Sequence, residues 1–183
     1  MNRLTEGEKK VLMSLARETI KTKSDPKASN LTPLLEEKRG AFVSLHCGDE
    51  LRGCIGHLLP VKPLYQAVIE NALAAAYNDS RFEPLTQEEF DELEIEISVL
   101  TEPVQINYSN SSELLKQLNS EQGIIIKNKM RMATFLPQVW TQIKDKREFL
   151  AHLCLKAGLP PDAWKSNDTE IYIYRVDNFS EKL

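Results

Sequence analysis

Twice along the chain one β-prone run follows another after only two or three turn residues, a spacing that lets the two runs pair only as an antiparallel hairpin. Ala41 to Cys47 returns as Leu51 to His57 across Gly48, Asp49 and Glu50. Gly123 to Lys127 returns as Met130 to Phe135 across Asn128 and Lys129. Helical patterns lie between and around these hairpins without a regular βαβ rhythm, so the class is α+β, with helices packed on an antiparallel or mixed sheet.

Local signals place the helices. Thr5 with Glu8 forms a capping box ahead of Val11, Leu12, Leu15 and Ala16, which predicts a helix over 6–22. A loop over 23–29 leads to a short helical turn from Leu34 to Lys38, which Gly40 ends. Pro63 opens a helix whose face of Leu64, Ala67, Val68, Ala72, Leu73, Ala75 and Ala76 suits close packing on the first hairpin. Thr86 to Leu93 reads as a short capped helix, and Glu94 to Leu100 as a half-buried strand. Ser111 or Ser112 caps a helix through Leu118. Helical pattern then runs from Pro137 to Gly158 with a break at Asp145, and Thr169 to Val176 is the final strand.

The chain has 183 residues, of which 42% are hydrophobic and 27% charged, enough apolar material for a sizeable core. One domain over 5–179 is expected, with termini at 1–4 and 180–183. A net charge of -4 without any long Lys/Arg run argues against nucleic acid as a partner. No run of 18 apolar residues suggests a membrane span, and no apolar signal core opens the sequence, so a cytoplasmic location is expected. Cys47, Cys54 and Cys154 are an odd count and are expected as reduced thiols.

The register of the first hairpin decides what accompanies Cys54. A three-residue loop of Gly48, Asp49 and Glu50 puts Val43, Leu45, Cys47, Leu51 and Ile55 on one face, and Ser44, His46, Arg52 and Cys54 on the other. A two-residue loop mixes apolar and polar groups on both faces. Phe42 on the polar side is the one blemish of the favoured register. Arg52 and a protonated His46 would favour a Cys54 thiolate. Gly53 and Gly56 weaken the strand, which a bulge or the close approach of a ligand to the backbone would justify. The competing account makes Cys54 a small buried hydrophobe.

Other candidates carry weaker signals. Cys54 and His57 fall on opposite faces and lack paired Cys-x-x-Cys knuckles, so no metal is expected, and no cofactor motif is present. Asp79 and Arg81 occupy a loop over 78–84, where Arg81 suits gripping a carboxylate or phosphate or simply a surface ion pair. Glu94 and Glu96 read as a solvated strand face. Lys127, Lys129 and Arg131 read as edge-strand protection.

At Leu51-Arg52-Gly53-Cys54-Ile55-Gly56 the chain resembles the AMMECR-type domain family, protein A of the AmmeMemoRadiSam system. The resemblance continues at Asn78-Asp79-Ser80-Arg81-Phe82-Glu83-Pro84-Leu85, at Leu136-Pro137-Gln138-Val139, and at Leu153 to Leu159 with Trp164 downstream, so it covers most of the chain. Arg131-Met132-Ala133-Thr134-Phe135 departs from the more Gly- and Leu-rich strand the family pattern leads one to expect. The resemblance implies an α+β fold of two unequal lobes with the signature lining a cleft between them. It assigns no biochemical activity, and it implies a modification pathway shared with a Memo-type protein and a radical S-adenosylmethionine enzyme.

Two functions follow as expectations. In one, a cleft formed by Leu51 to Gly56, the Asp79 to Phe82 loop and Pro137-Gln138 holds a small molecule, peptide or protein partner, with Gly53, Gly56, Asp79, Arg81, Phe82, Pro137 and Gln138 as ligand-binding residues. In the other, Cys54 is the nucleophile of a cysteine-dependent enzyme, His46 (or, less favoured, His57) its base and Arg52 an electrostatic stabiliser. A purely structural adaptor, whose glycines serve packing, is the third and weaker possibility.

Overall fold

In the computed structural model, which describes residues 3–181, the first capping box forms as its chemistry requires. The Thr5 hydroxyl accepts the Glu8 amide at 3.3 Å, and the Glu8 carboxylate accepts the Thr5 amide at 2.8 Å. The helices are α1 (Glu6–Thr22), α2 (Pro33–Glu36), α3 (Leu64–Tyr77), α4 (Gln87–Asp91), α5 (Ser111–Gln117) and α6 (Lys146–Lys156). The strands are β1 (Ala41–Cys47), β2 (Glu50–His57), β3 (Leu93–Leu100), β4 (Val104–Gln105), β5 (Gly123–Asn128), β6 (Arg131–Phe135), β7 (Glu170–Tyr174) and β8 (Val176–Glu181). The class is α+β, with antiparallel sheets. Residues 1, 2, 182 and 183 of the expected termini lie outside the described residues.

The chain divides into two compact units. One runs to Glu102 and resumes at Asp177, and the other is Pro103–Val176. In the first, the strand order is β2-β1-β3-β8. Ala41 pairs with Val99, Val43 with Ile97 and Leu45 with Ile95, so these side chains share one face, and all of them are buried. That face meets α1, through Leu12, Ala16 and Ile20, and α3, through Ala67, Val68, Ala72 and Ala75. The alanines let α3 approach closely, and a Cβ on Gly53 would fall inside contact distance of the Ala75 carbonyl oxygen, 3.0 Å from its carbon. The expected placement of this helix on the first hairpin is therefore observed.

The second unit carries a sheet of order β4-β7-β5-β6. Ile124, Ile126 and Ile171 pack there with Phe149, Leu150 and Leu153 of α6 and with Trp140, which stacks on Phe149 at a centroid distance of 3.7 Å. The Trp140 indole is satisfied by donating to the Gln122 carbonyl at 2.9 Å.

Several local expectations are corrected. Glu36 ends α2, and Gly40 instead lies where a Cβ would strike the Leu58 carbonyl. Asn110, not a serine, caps α5, its side-chain oxygen accepting the Glu113 amide at 3.0 Å. The pairing of Asn128 with Arg131 makes Lys129 and Met130 the second hairpin's turn, with Lys129 in the left-handed region at φ 55. Asp145 breaks the 137–158 pattern by capping α6, accepting the amides of Arg147 and Glu148, and the part before it is a 3-10 helix, Pro137–Thr141. Strands β4 and β8 were not expected. The first is two residues long, and the second carries Asp177, Asn178 and Ser180, which hide its pattern.

Candidate functional site

The first hairpin reaches its expected register through a shorter turn and a bulge. Cys47 pairs with Glu50, which leaves a two-residue turn of Gly48 and Asp49, and Gly48 supplies the positive φ of 61 at its first position. A register shift then leaves Arg52 without a partner on β1, because His46 pairs with Leu51 and Leu45 with Gly53. This bulge compensates for the short turn, so Ser44 still faces Cys54 and Val43 still faces Ile55, as the three-residue loop predicted.

The bulge also re-aims Arg52. Instead of joining Cys54, its guanidinium grips Glu89 of α4 with two bonds, Nε to Oε1 at 2.6 Å and Nη2 to Oε2 at 3.0 Å. Glu89 closes the capping box of α4 as well, accepting the Thr86 amide at 2.9 Å. Arg52 therefore fastens α4 to β2. Its charge is felt by Cys47, although burial is the larger influence there and pushes the Cys47 thiol up.

Asp79 and Arg81 converge on the Cys54 backbone. Asp79 is buried, and its carboxylate accepts the Cys54 amide at 2.9 Å, the Arg81 amide at 3.2 Å, and Arg81 Nε and Nη2 at 2.9 and 2.7 Å. Arg81 Nη2 also donates to the Cys54 carbonyl at 3.0 Å. Phe82 has both guanidinium groups near its ring, Arg81 at 5.4 Å and Arg52 at 6.0 Å from the centroid. Gly56 is required by packing, since a Cβ there would enter the Phe42 ring across the strand. The expected polar-side blemish at Phe42 thus has a use.

The Cys54 amide and carbonyl point away from β1, so Ser44 and Cys54 form a non-hydrogen-bonded pair, the kind that brings side chains closest. The Ser44 hydroxyl donates to Cys54 Sγ at 3.3 Å. Among the described residues no histidine is hydrogen-bonded to this sulfur. His57 pairs with Ala41 on the helix side of the sheet, with Nε2 buried and unpartnered.

On its other edge β1 adjoins β3, where Ser44 pairs with Glu96 and His46 with Glu94. These two carboxylates, which by alternation alone read as a solvated face, therefore share a half-buried face with Ser44, His46 and Cys54. Alternation alone could not find them, because the signal that matters is which strand lies next to β1. Pro137 and Gln138 belong to the second unit, where Pro137 opens the 3-10 helix and the Gln138 carbonyl accepts the Thr141 hydroxyl at 2.7 Å. Elsewhere on the first unit an open groove of about 860 Å³ runs past Lys9, Met13, Arg17, Phe179 and Glu181.

The ion pairs make the first unit acid-sensitive. The Arg52 guanidinium, helped by the Thr86 amide, holds the Glu89 carboxyl down at about 2. Arg81, together with the Cys54 and Arg81 amides, holds Asp79 well below the usual carboxylate range despite its burial. Depressed carboxyls contribute stability that is complete above the unfolded-state value of roughly 4 and is lost as pH falls through the folded value. Denaturant midpoints are thus expected to drop between roughly pH 4 and pH 2. Arg52→Ala is expected to flatten the Glu89 share of that drop, and an unchanged acid limb in this variant would show that the pair is not formed.

A protein-family model described as AMMECR1 matches residues 13–179. Protein MK0488 of Methanopyrus kandleri is 42% identical over 98% of this chain and 91% of its own length. A protein of Methanosarcina mazei is 39% identical over 98% of this chain and 94% of its own. The crystal structure of the uncharacterised protein PH0010 from Pyrococcus horikoshii is similar at a TM-score of 0.81, with 38% identity, covering 93% of this chain and 89% of that one.

Proposed function

The chain belongs to the AMMECR1 family, and from that premise we propose that its first unit is a binding module whose recognition surface is the polar sheet face around Cys54. The observation that carries the proposal is the row of Ser44, His46, Cys54, Glu94 and Glu96 on adjoining strands, opposite the face that α1 and α3 cover. Hydroxyl, imidazole and thiol groups beside two carboxylates suit a small molecule or extended peptide rich in hydrogen-bond donors. Arg52 and Arg81 are engaged with Glu89 and Asp79, so their part is to hold the strand that presents Cys54. A cytoplasmic role alongside Memo-type and radical S-adenosylmethionine proteins is part of the same proposal. Among the described residues no helix is long and apolar enough to cross a membrane.

The alternative, nucleophilic chemistry at Cys54 with a histidine base, has less support, because the Ser44 hydroxyl donates to Sγ and among the described residues no histidine is hydrogen-bonded to it. The binding proposal predicts selective capture of disulfide-bearing fragments at Cys54 in a Cys47→Ala, Cys154→Ala background. A few fragments are expected to be enriched strongly, with Ser44→Ala or Glu96→Gln changing which ones. Capture of all fragments alike, as by a thiol in an unstructured peptide, would sink the proposal.

A further inference from the structure

Among the described residues β2 is an edge strand, with β1 on one side and no strand on the other. Edge strands expose unpaired amides and carbonyls that can template pairing with another chain. On the free side of β2, the amide and carbonyl of Cys54 are both taken by side chains of one loop, Asp79 accepting at 2.9 Å and Arg81 donating at 3.0 Å. A carboxylate acceptor and a guanidinium donor, two residues apart, supply the two bonds that one residue of a neighbouring strand would supply. The loop is itself anchored: the Leu85 amide donates to Ala76 at 2.8 Å, and the Phe82 amide donates to the Asp79 carbonyl at 3.0 Å. Among the described residues no backbone of a further strand takes part.

We infer that Asp79 and Arg81 act as a strand surrogate that closes the edge of the first sheet against pairing with β2 of a second copy of this chain. The arrangement is lopsided in a way that fits a guard. Asp79 is buried, whereas the Arg81 side chain lies 56% exposed on the outside of the edge. Gly56, by strand alternation, directs its amide and carbonyl the same way as Cys54, so a bared edge offers two residues for pairing.

The test is the double variant Asp79→Ala, Arg81→Ala, which removes both charges together and leaves neither buried alone. Light scattering at rising protein concentration is expected to show its mass climbing towards twice that of the parent, with the parent showing no such rise. Hydrogen exchange at the Cys54 amide is expected to be faster than in the parent when dilute, and to slow as the variant associates. Arg81→Ala alone, which frees only the carbonyl, is expected to associate more weakly. A folded double variant with the parent's mass at every concentration would overturn the inference, as would association that leaves Cys54 exchange unchanged. A double variant that fails to fold would assign the pair to the fold instead and would equally count against it.

Discussion

Gly53→Ala is expected to destabilise the protein by about 3 kcal/mol, the upper end of overpacking costs. The new methyl would lie inside contact distance of the Ala75 carbonyl oxygen, and the obstacle is helix backbone, which no rotamer change can move aside. Relief requires α3 to lift from the sheet, which opens contacts that Ala67, Val68, Ala72 and Ala75 make with it. For a chain of this size the melting temperature is expected to fall by roughly 6–12 °C. Gly48→Ala is the control, because nothing lies within 4 Å of that Cβ and only the positive φ is strained, at about 1 kcal/mol. Thermal melts of the two variants separate close packing from turn geometry. Equal, small shifts would show that α3 does not press on β2 as described.

Asp79→Ala is expected to have an effect of similar size, about 3 kcal/mol, since hydrogen bonds to a charged group contribute about 1.5–3 kcal/mol each and are not additive. The carboxylate accepts from the Cys54 amide and from three Arg81 donors, and its side chain is only 3% exposed. Asp79→Asn is expected to cost less, because the amide oxygen can keep the Cys54 bond while the ion pair is lost. Denaturant titration at neutral pH ranks the three proteins as parent, Asn, Ala. An alanine variant as stable as the parent would mean that the loop does not hold β2.

The parts of the fold that were legible in the sequence are those written in short-range chemistry. Thr5 with Glu8 is a capping box in the structure, Thr86 caps a short helix, and Pro63 precedes α3, each as expected. The Ser44 to Cys54 pairing was also legible, for an instructive reason. A three-residue turn, and a two-residue turn followed by a one-residue bulge, give the same partners from Leu45 back to Ala41. They differ only near Arg52, and that is where the expectation failed: Arg52 was placed beside Cys54 and is found on Glu89. Sequence spacing carries no record of which carboxylate, 37 residues away, will claim a guanidinium.

The same limit hid the acidic half of the candidate site. The alternation around Glu94 and Glu96 correctly marks a face, but a strand's neighbour is a property of the sheet. Only when β3 is seen paired to β1 do these carboxylates align with Ser44 and His46. The signature Leu51 to Gly56 then divides by task. Arg52 anchors α4, Gly53 admits α3, Gly56 admits Phe42, and Cys54 is left to present its side chain beside Ser44.

Amide chemical-shift mapping of the isotopically labelled protein against a library of small fragments tests the binding proposal most directly. The account predicts that shifts from the best binders concentrate on Ser44, His46, Cys54, Glu94 and Glu96, and that Glu96→Gln weakens them without unfolding the chain. Shifts that gather instead along the groove of Lys9, Arg17 and Phe179, and leave the Cys54 face untouched, would contradict it.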